Sequence, residues 1–154
     1  MSFNTRNGTR GARQPGGKLM LWVNKLMARR IRKGGRAMGF DALVLTTVGR
    51  KTGTERQTPV GWFPGSDGSW LIVASAAGAP KNPAWYHNLA AHPDKAAIET
   101  HGRKIAVTAR ELHGPERDEA WKQIISASPR FAQYQDKTDR LLPVIRLTPR
   151  SGAH

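Results

Sequence analysis

From Lys18 to Arg32 the apolar residues Leu19, Trp22, Val23, Leu26 and Met27 recur at helical spacing, with Lys25, Arg29, Arg30 and Arg32 at the polar positions. The pattern predicts an amphipathic basic helix within residues 18–36, ended by Gly34-Gly35. Residues 1–17, rich in Gly, Arg, Asn and Thr and without periodicity, read as a disordered basic arm. After Arg36 the period shortens. Ala42 to Val48, Thr58 to Phe63 and Trp70 to Ala74 read as strands, with a hairpin turn at Asp67-Gly68 between the last two. Asn82-Pro83 then opens a short helix that stops before Pro93, Asn82 serving as N-cap and Pro83 as the first helical residue.

Lys95 to Thr100 and Lys104 to Leu112 form a second hairpin around His101-Gly102. Pro115 to Glu119 puts proline and acids in the first turn of another helix, whose buried stripe is Trp121, Ile124 and Ile125. A further short helix is expected from Pro129 to about Lys137, and Leu141 to Leu147 closes the chain as a strand. Six β-rich segments with helices inserted among them, and no regular βαβ alternation, predict a mainly β fold closer to an antiparallel barrel than to a doubly wound sheet. Residues 37–150 are expected to form that one domain, since 154 residues suit a single core.

Charge changes the picture. The chain carries 25 Lys+Arg against 11 Asp+Glu, a net +14, and ten of the bases with no acid fall between Met1 and Arg36. Such a surface attracts phosphates, nucleic acid, anionic lipid or a polyanionic cofactor. The longest apolar run near the N-terminus, Leu19 to Val23, is too short for a secretory or membrane-spanning core. The expected location is the cytoplasm, with residues 18–33 available for peripheral contact with the inner face of an anionic membrane. With no cysteine, disulfides, thiolate nucleophiles and cysteine-type zinc sites are excluded, and the scattered histidines have no metal-ligand spacing.

Two segments have the residue types that hold anions and flat ligands. Gly49-Arg50-Lys51-Thr52-Gly53, with Arg56 beyond it, joins flexible backbone, cations and a hydroxyl between two strands; an anion cradle and a plain basic turn account for it equally well. It lacks the spacing of a Walker loop. Ser75 to Pro83 leaves a strand through small residues and enters a helix, so a flat ligand can approach its backbone, although an ordinary connection looks the same.

Leu45-Thr46-Thr47-Val48-Gly49-Arg50-Lys51-Thr52-Gly53, then Arg56-Gln57-Thr58-Pro59-Val60, then Ala74-Ser75 with Gly78 to Leu89, and finally Tyr134-Gln135 with Thr138-Asp139-Arg140 before Pro143-Val144-Ile145, closely resemble the deazaflavin-dependent nitroreductase and quinone reductase family. The resemblance spans Asp41 to Pro149. It implies a split β-barrel of the FMN-binding type and an oxidoreductase that uses reduced coenzyme F-420, a deazaflavin with a phosphate and oligoglutamate tail, to reduce a small flat acceptor: a quinone, enone or nitroaromatic. It also implies that Lys51, Thr52, Gly53 and Arg56 hold the tail. Gln57, Thr58, Pro59, Val60, Gly61 and Trp62 would line one side of the deazaflavin and Ser75, Ala76 and Ala77 the other, with Lys81, Ala84, Trp85 and Asn88 completing the pocket.

Two departures from the family pattern stand out. Relatives often carry a base where Ala76 stands, and those that reduce nitro groups have tyrosines near the positions of Ser128 and Phe131. Tyr134 therefore keeps the one phenol in the implied substrate pocket of Ser128, Phe131 and Tyr134, and is the expected proton or hydrogen-bond donor. A monomer or homodimer is expected, with no metal and no nucleic-acid partner. The competing readings are a non-enzymatic basic protein that binds nucleic acid, weakened because Trp22 alone interleaves with the helix bases, and a split barrel that binds FMN, haem or lipid.

Overall fold

The computed structural model describes Phe3, Thr5, Asn7, Gly8 and residues 36–37, 40–75, 78 and 81–150. The helix expected from Lys18 to Arg32 lies outside the described residues. Arg36, beyond the Gly34-Gly35 stop, sits in β1 (Arg36–Ala37), which pairs with the start of β2 (Phe40–Val48).

The remaining strands are β3 (Glu55–Gly61), β4 (Phe63–Pro64), β5 (Trp70–Val73), β6 (Ala96–Thr100), β7 (Arg103–Glu111) and β8 (Val144–Pro149). Every pairing is antiparallel. β2 carries β3 along one edge and β6 along the other, and the sheet continues through β7, β8 and β5 to β4. Its two ends, β3 and β4, are separated in sequence by Trp62 alone. A sheet whose first and last strands are one residue apart has to curl back on itself, so it forms a barrel split at that seam.

Turn chemistry sets the registers. His101 (φ 49°) and Gly102 (φ 75°) both take the left-handed conformation that a two-residue hairpin needs, bringing Thr100 opposite Arg103. At Ser66–Gly68 the chain makes one tight helical turn, ending in Gly68 at φ 75°, before β5.

Among the described residues three helices complete the fold: α1 (Ala84–Ala91), α2 (Gly114–Ala127) and α3 (Arg130–Asp136). Trp85, Tyr86 and Leu89 of α1 join Leu43, Leu45, Ile98 and Leu147 in the principal core. Completely burying a side chain such as Leu89 is worth about 1.5–3 kcal/mol. The alternate residues Leu71, Val73 and Val144 face a second cluster with Ile124 of α2 and Phe131 of α3. β5 and the first half of β8 are therefore covered on both faces, one by the barrel interior and one by the helices, which is why β5 (Trp70–Val73) is continuously apolar and β8 opens on Val144-Ile145.

The expected N-cap is corrected. Pro83, in an extended conformation with no side-chain cap, occupies that position, and α1 begins at Ala84. Asn82 directs its amide elsewhere, to Arg140 and to the Thr5 carbonyl. Thr5 and Asn7 belong to the segment expected as a loose arm, yet both are hydrogen-bonded to Asn82, and Phe3 lies edge-on to Tyr86 at 5.5 Å between ring centres.

Candidate functional site

β2 and β3 are joined by a tight loop. Gly49 N–H donates to the Thr54 carbonyl at 2.8 Å, and Gly53 N–H donates to the Gly49 carbonyl at 2.9 Å. Gly53 sits at φ 70°, a conformation that suits glycine. The Thr52 hydroxyl accepts from Thr54 N–H, which leaves its own proton to donate outward. Arg50, Lys51 and Thr52 are exposed at the tip, and Arg56 and Gln57 are exposed on the adjoining strand.

A helix residue anchors this loop. Asn88 is buried in α1; its Oδ1 accepts from Arg50 N–H at 3.1 Å and its Nδ2 donates to Thr47 Oγ1 at 3.1 Å. The neighbouring His87 is held below the ordinary imidazole range, first by partial burial and then by the charge of Arg50. The first turn of α1 follows the segment that leaves β5 at Ala74-Ser75. Asn88 lies four residues, about 6 Å, along the helix from Ala84. The basic loop is thus hydrogen-bonded to the short helix into which the chain leaving Ser75 leads.

The implied site residues fall into three groups. Lys51, Thr52, Gly53 and Arg56 share one exposed hairpin, and Thr58 to Trp62 continue it as a half-buried strand, with Val60 and Trp62 packed on the principal core. Ser75 is half-buried, Lys81 and Ala84 are exposed, and Trp85 is buried with its ring in the core; Ala76 and Ala77 lie outside the described residues. In the third group Ser128 and Phe131 are buried, Phe131 being edge-on to Phe63 at 5.6 Å. Tyr134 is half-buried, so it alone of the three offers surface. Its backbone oxygen closes on the Ser75 turn: a Cβ added at Gly78 (φ 82°) would lie 2.7 Å from the Tyr134 carbonyl oxygen.

Two features at this place have no counterpart in the implied site. The Arg140 guanidinium, 1% exposed, donates through Nη1 to the Ala74 carbonyl at 2.8 Å and to Asn82 Oδ1 at 2.6 Å, and through Nη2 to the Ser75 carbonyl at 2.7 Å. Burial lowers its pKa to about 10, which leaves it charged at neutral pH. Arg140 stands in a motif that carries the family resemblance, but its sequence position, 65 residues beyond Ser75, gives no hint of where the guanidinium lands. The second feature is the Glu111 carboxyl group, buried at the end of β7, which receives the Tyr86 hydroxyl at 2.5 Å and the Thr5 hydroxyl.

This donor set suits a ligand with an acidic tail and a flat head: exposed cations and a hydroxyl on one hairpin, which runs on into a half-buried strand. The sequence profile of the F-420H(2)-dependent quinone reductases matches residues 20–149. The chain belongs to that family. An F-420H(2)-dependent quinone reductase of Mycobacterium tuberculosis is 39% identical over 113 residues, 71% of this chain and 74% of its own length. Among solved structures, an F-420-H2-dependent reductase, FDR-A, superposes with a TM-score of 0.62 at 37% identity, covering 74% of this chain and 99% of that one. A domain-swapped dimer superposes with a TM-score of 0.64 at 33% identity over 84% of this chain and 96% of its own. An FAD-binding protein from Mesorhizobium loti, 11% identical with a TM-score of 0.51, shares the fold alone. The barrel is a split β-barrel of the FMN-binding type.

Proposed function

We propose that this protein is a coenzyme F-420-dependent reductase that passes a hydride from the reduced deazaflavin to a quinone bound over it. The observation that carries the proposal is the pinning of the basic Gly49–Thr54 loop to α1 through Asn88, which fixes the backbone beneath the exposed cations. Family membership over residues 20–149 supports the same reading.

When bound, the deazaflavin supplies the hydride; the protein binds, orients and shields. Lys51 and Arg56 would hold the acidic tail by charge-assisted hydrogen bonds, with Arg50 adding to the local field and the Thr52 hydroxyl donating to a phosphate oxygen. Gln57 to Trp62 would support one side of the ring system and Ser75 to Ala77 the other, with Lys81, Ala84 and Asn88 at the helix entry. Tyr134 beside the turn would donate a hydrogen bond to the acceptor's oxygen as negative charge develops there. The buried Ser128 and Phe131 support Tyr134 from behind: Phe131 N–H donates to the Ser128 carbonyl, and the Phe131 ring stands edge-on to Tyr134 at 5.6 Å.

The deciding experiment is titration of the apo protein into F-420, read by fluorescence, beside the same titration with FMN, followed by oxidation of F-420H2 with menadione. Saturable F-420 binding and quinone-dependent oxidation support the reading. Preference for FMN sinks it.

Association and location extend the proposal. The domain-swapped relative supports a homodimer, which light scattering would check. Among the described residues no helix is long and apolar enough to cross a membrane. The amphipathic basic pattern of residues 18–33 supports a cytoplasmic protein that touches an anionic membrane surface, where lipophilic quinones dissolve. Sedimentation with anionic vesicles at low salt tests this; protein that stays in the supernatant rules the contact out.

A further inference from the structure

We infer that Arg140 is a positioning residue for the turn closed between Ser75 and Gly78, and that the N-terminal segment acts on the same turn through Asn82. The inference rests on the cofactor reading above for what the turn does, and on geometry alone for how it is held.

A guanidinium this deeply buried carries a large desolvation cost, and apolar packing of similar volume would often serve stability as well or better. Stability alone therefore does not call for an arginine here. The planar fork does something a hydrophobic side chain or a lysine cannot: it fixes two successive carbonyls, Ala74 and Ser75, and one amide oxygen, Asn82 Oδ1, in a single arrangement. Those acceptors bracket the turn at both ends. The fork is itself braced from α3, where Gln135 donates to the Arg140 carbonyl at 2.7 Å and accepts from Leu142 N–H at 3.0 Å.

Asn82 extends the network. Its backbone N–H donates to Asn7 Oδ1 at 2.9 Å and its side-chain amide donates to the Thr5 carbonyl at 3.0 Å, while its Oδ1 is held by Arg140. Thr5 is in turn fixed by Tyr86 and the buried Glu111. An unbroken path of hydrogen bonds thus runs from the N-terminal segment through Asn82 and Arg140 to the Ser75 carbonyl. That carbonyl also accepts from Gly78 N–H at 2.9 Å, so the amide of Gly78 reports on the turn directly.

The test uses the full chain, with Arg140→Lys, Asn82→Ala and Asn7→Ala variants. Hydrogen exchange without cofactor is read at Gly78 and, as a barrel control, at Leu112, whose N–H donates to the Val144 carbonyl. The expected result for Arg140→Lys is exchange at Gly78 faster by about tenfold with Leu112 unchanged, since lysine leaves acceptors without donors. F-420 affinity should fall about tenfold, and KM for F-420H2 should rise while kcat at saturation stays within about twofold. Asn82→Ala and Asn7→Ala should move Gly78 in the same direction by smaller factors.

Wild-type exchange and affinity in Arg140→Lys overturn the inference, and equal loss of protection at Gly78 and Leu112 overturns it in favour of a merely structural arginine. If the lysine variant does not fold, Asn82→Ala decides: faster exchange at Gly78 alone supports the inference, and unchanged exchange overturns it. Wild-type protein that ignores F-420 would fail the cofactor reading, while the exchange at Gly78 still decides the clamp.

Discussion

Asn88 receives the backbone N–H of Arg50 at 3.1 Å, so a buried amide on a helix fixes the backbone of a loop whose side chains are all at the surface. The same amide holds Thr47 on β2. Asn88→Ala should leave the Arg50 N–H and the Thr47 hydroxyl without these partners and cost about 1–3 kcal/mol of stability. F-420 affinity should fall too, because the loop loses its pre-set shape. A variant with lowered denaturation midpoint but unchanged affinity would show that the loop needs no anchor to bind.

Lys51 and Arg56 are exposed, and removing them disturbs no core contact. The Lys51→Ala, Arg56→Ala double variant should fold normally and bind F-420 roughly ten- to a hundredfold more weakly, a figure already reduced for solvent screening. The deficit should shrink as salt is raised, since the wild-type advantage is itself screened. Equal affinities of variant and wild type at low salt would remove this hairpin from the tail site.

Tyr134→Phe keeps the ring that packs on Phe131 and removes the hydroxyl. With the phenol as a hydrogen-bond donor to the acceptor, kcat on menadione should drop by about tenfold or more while F-420 affinity holds. Full turnover in the phenylalanine variant would take Tyr134 out of the mechanism.

Tyr86 gives a pH dependence whose sign is determined. Burial, and then its hydrogen bond to Glu111, raise its pKa well above the ordinary 10.0. The folded state therefore holds the proton that the unfolded chain releases. The contribution to stability is complete below pH 10 and is lost as the pH rises beyond it, toward the raised folded value. Chemical denaturation between pH 8 and about 11 should show wild type losing stability faster than Tyr86→Phe over the alkaline end. Parallel curves would mean that Tyr86 ionises alike in both states.

The strands, the hairpin at His101-Gly102 and the helix that follows Pro115 could be read from the sequence because each depends on local chemistry: β-branched runs, paired left-handed residues, proline in a first turn. Asn82 departs from its local reading for the opposite reason: a good N-cap by its side chain, it is drawn away by Arg140 and Thr5. Local preference yields where a long-range partner takes the same group.

The ordered motifs from Leu45 to Ile145 were enough by themselves to point to the family, its cofactor and the residues to examine. Which of those residues have surface to offer depended on the tertiary structure. Ser128 and Phe131 are sealed behind Tyr134, because the apolar clusters fill from both faces of β5 and β8. Arg140 and the Thr5–Glu111–Tyr86 contacts were visible only in the fold, because their hydrogen bonds join positions 25 to 106 residues apart, a separation that no periodicity or spacing encodes.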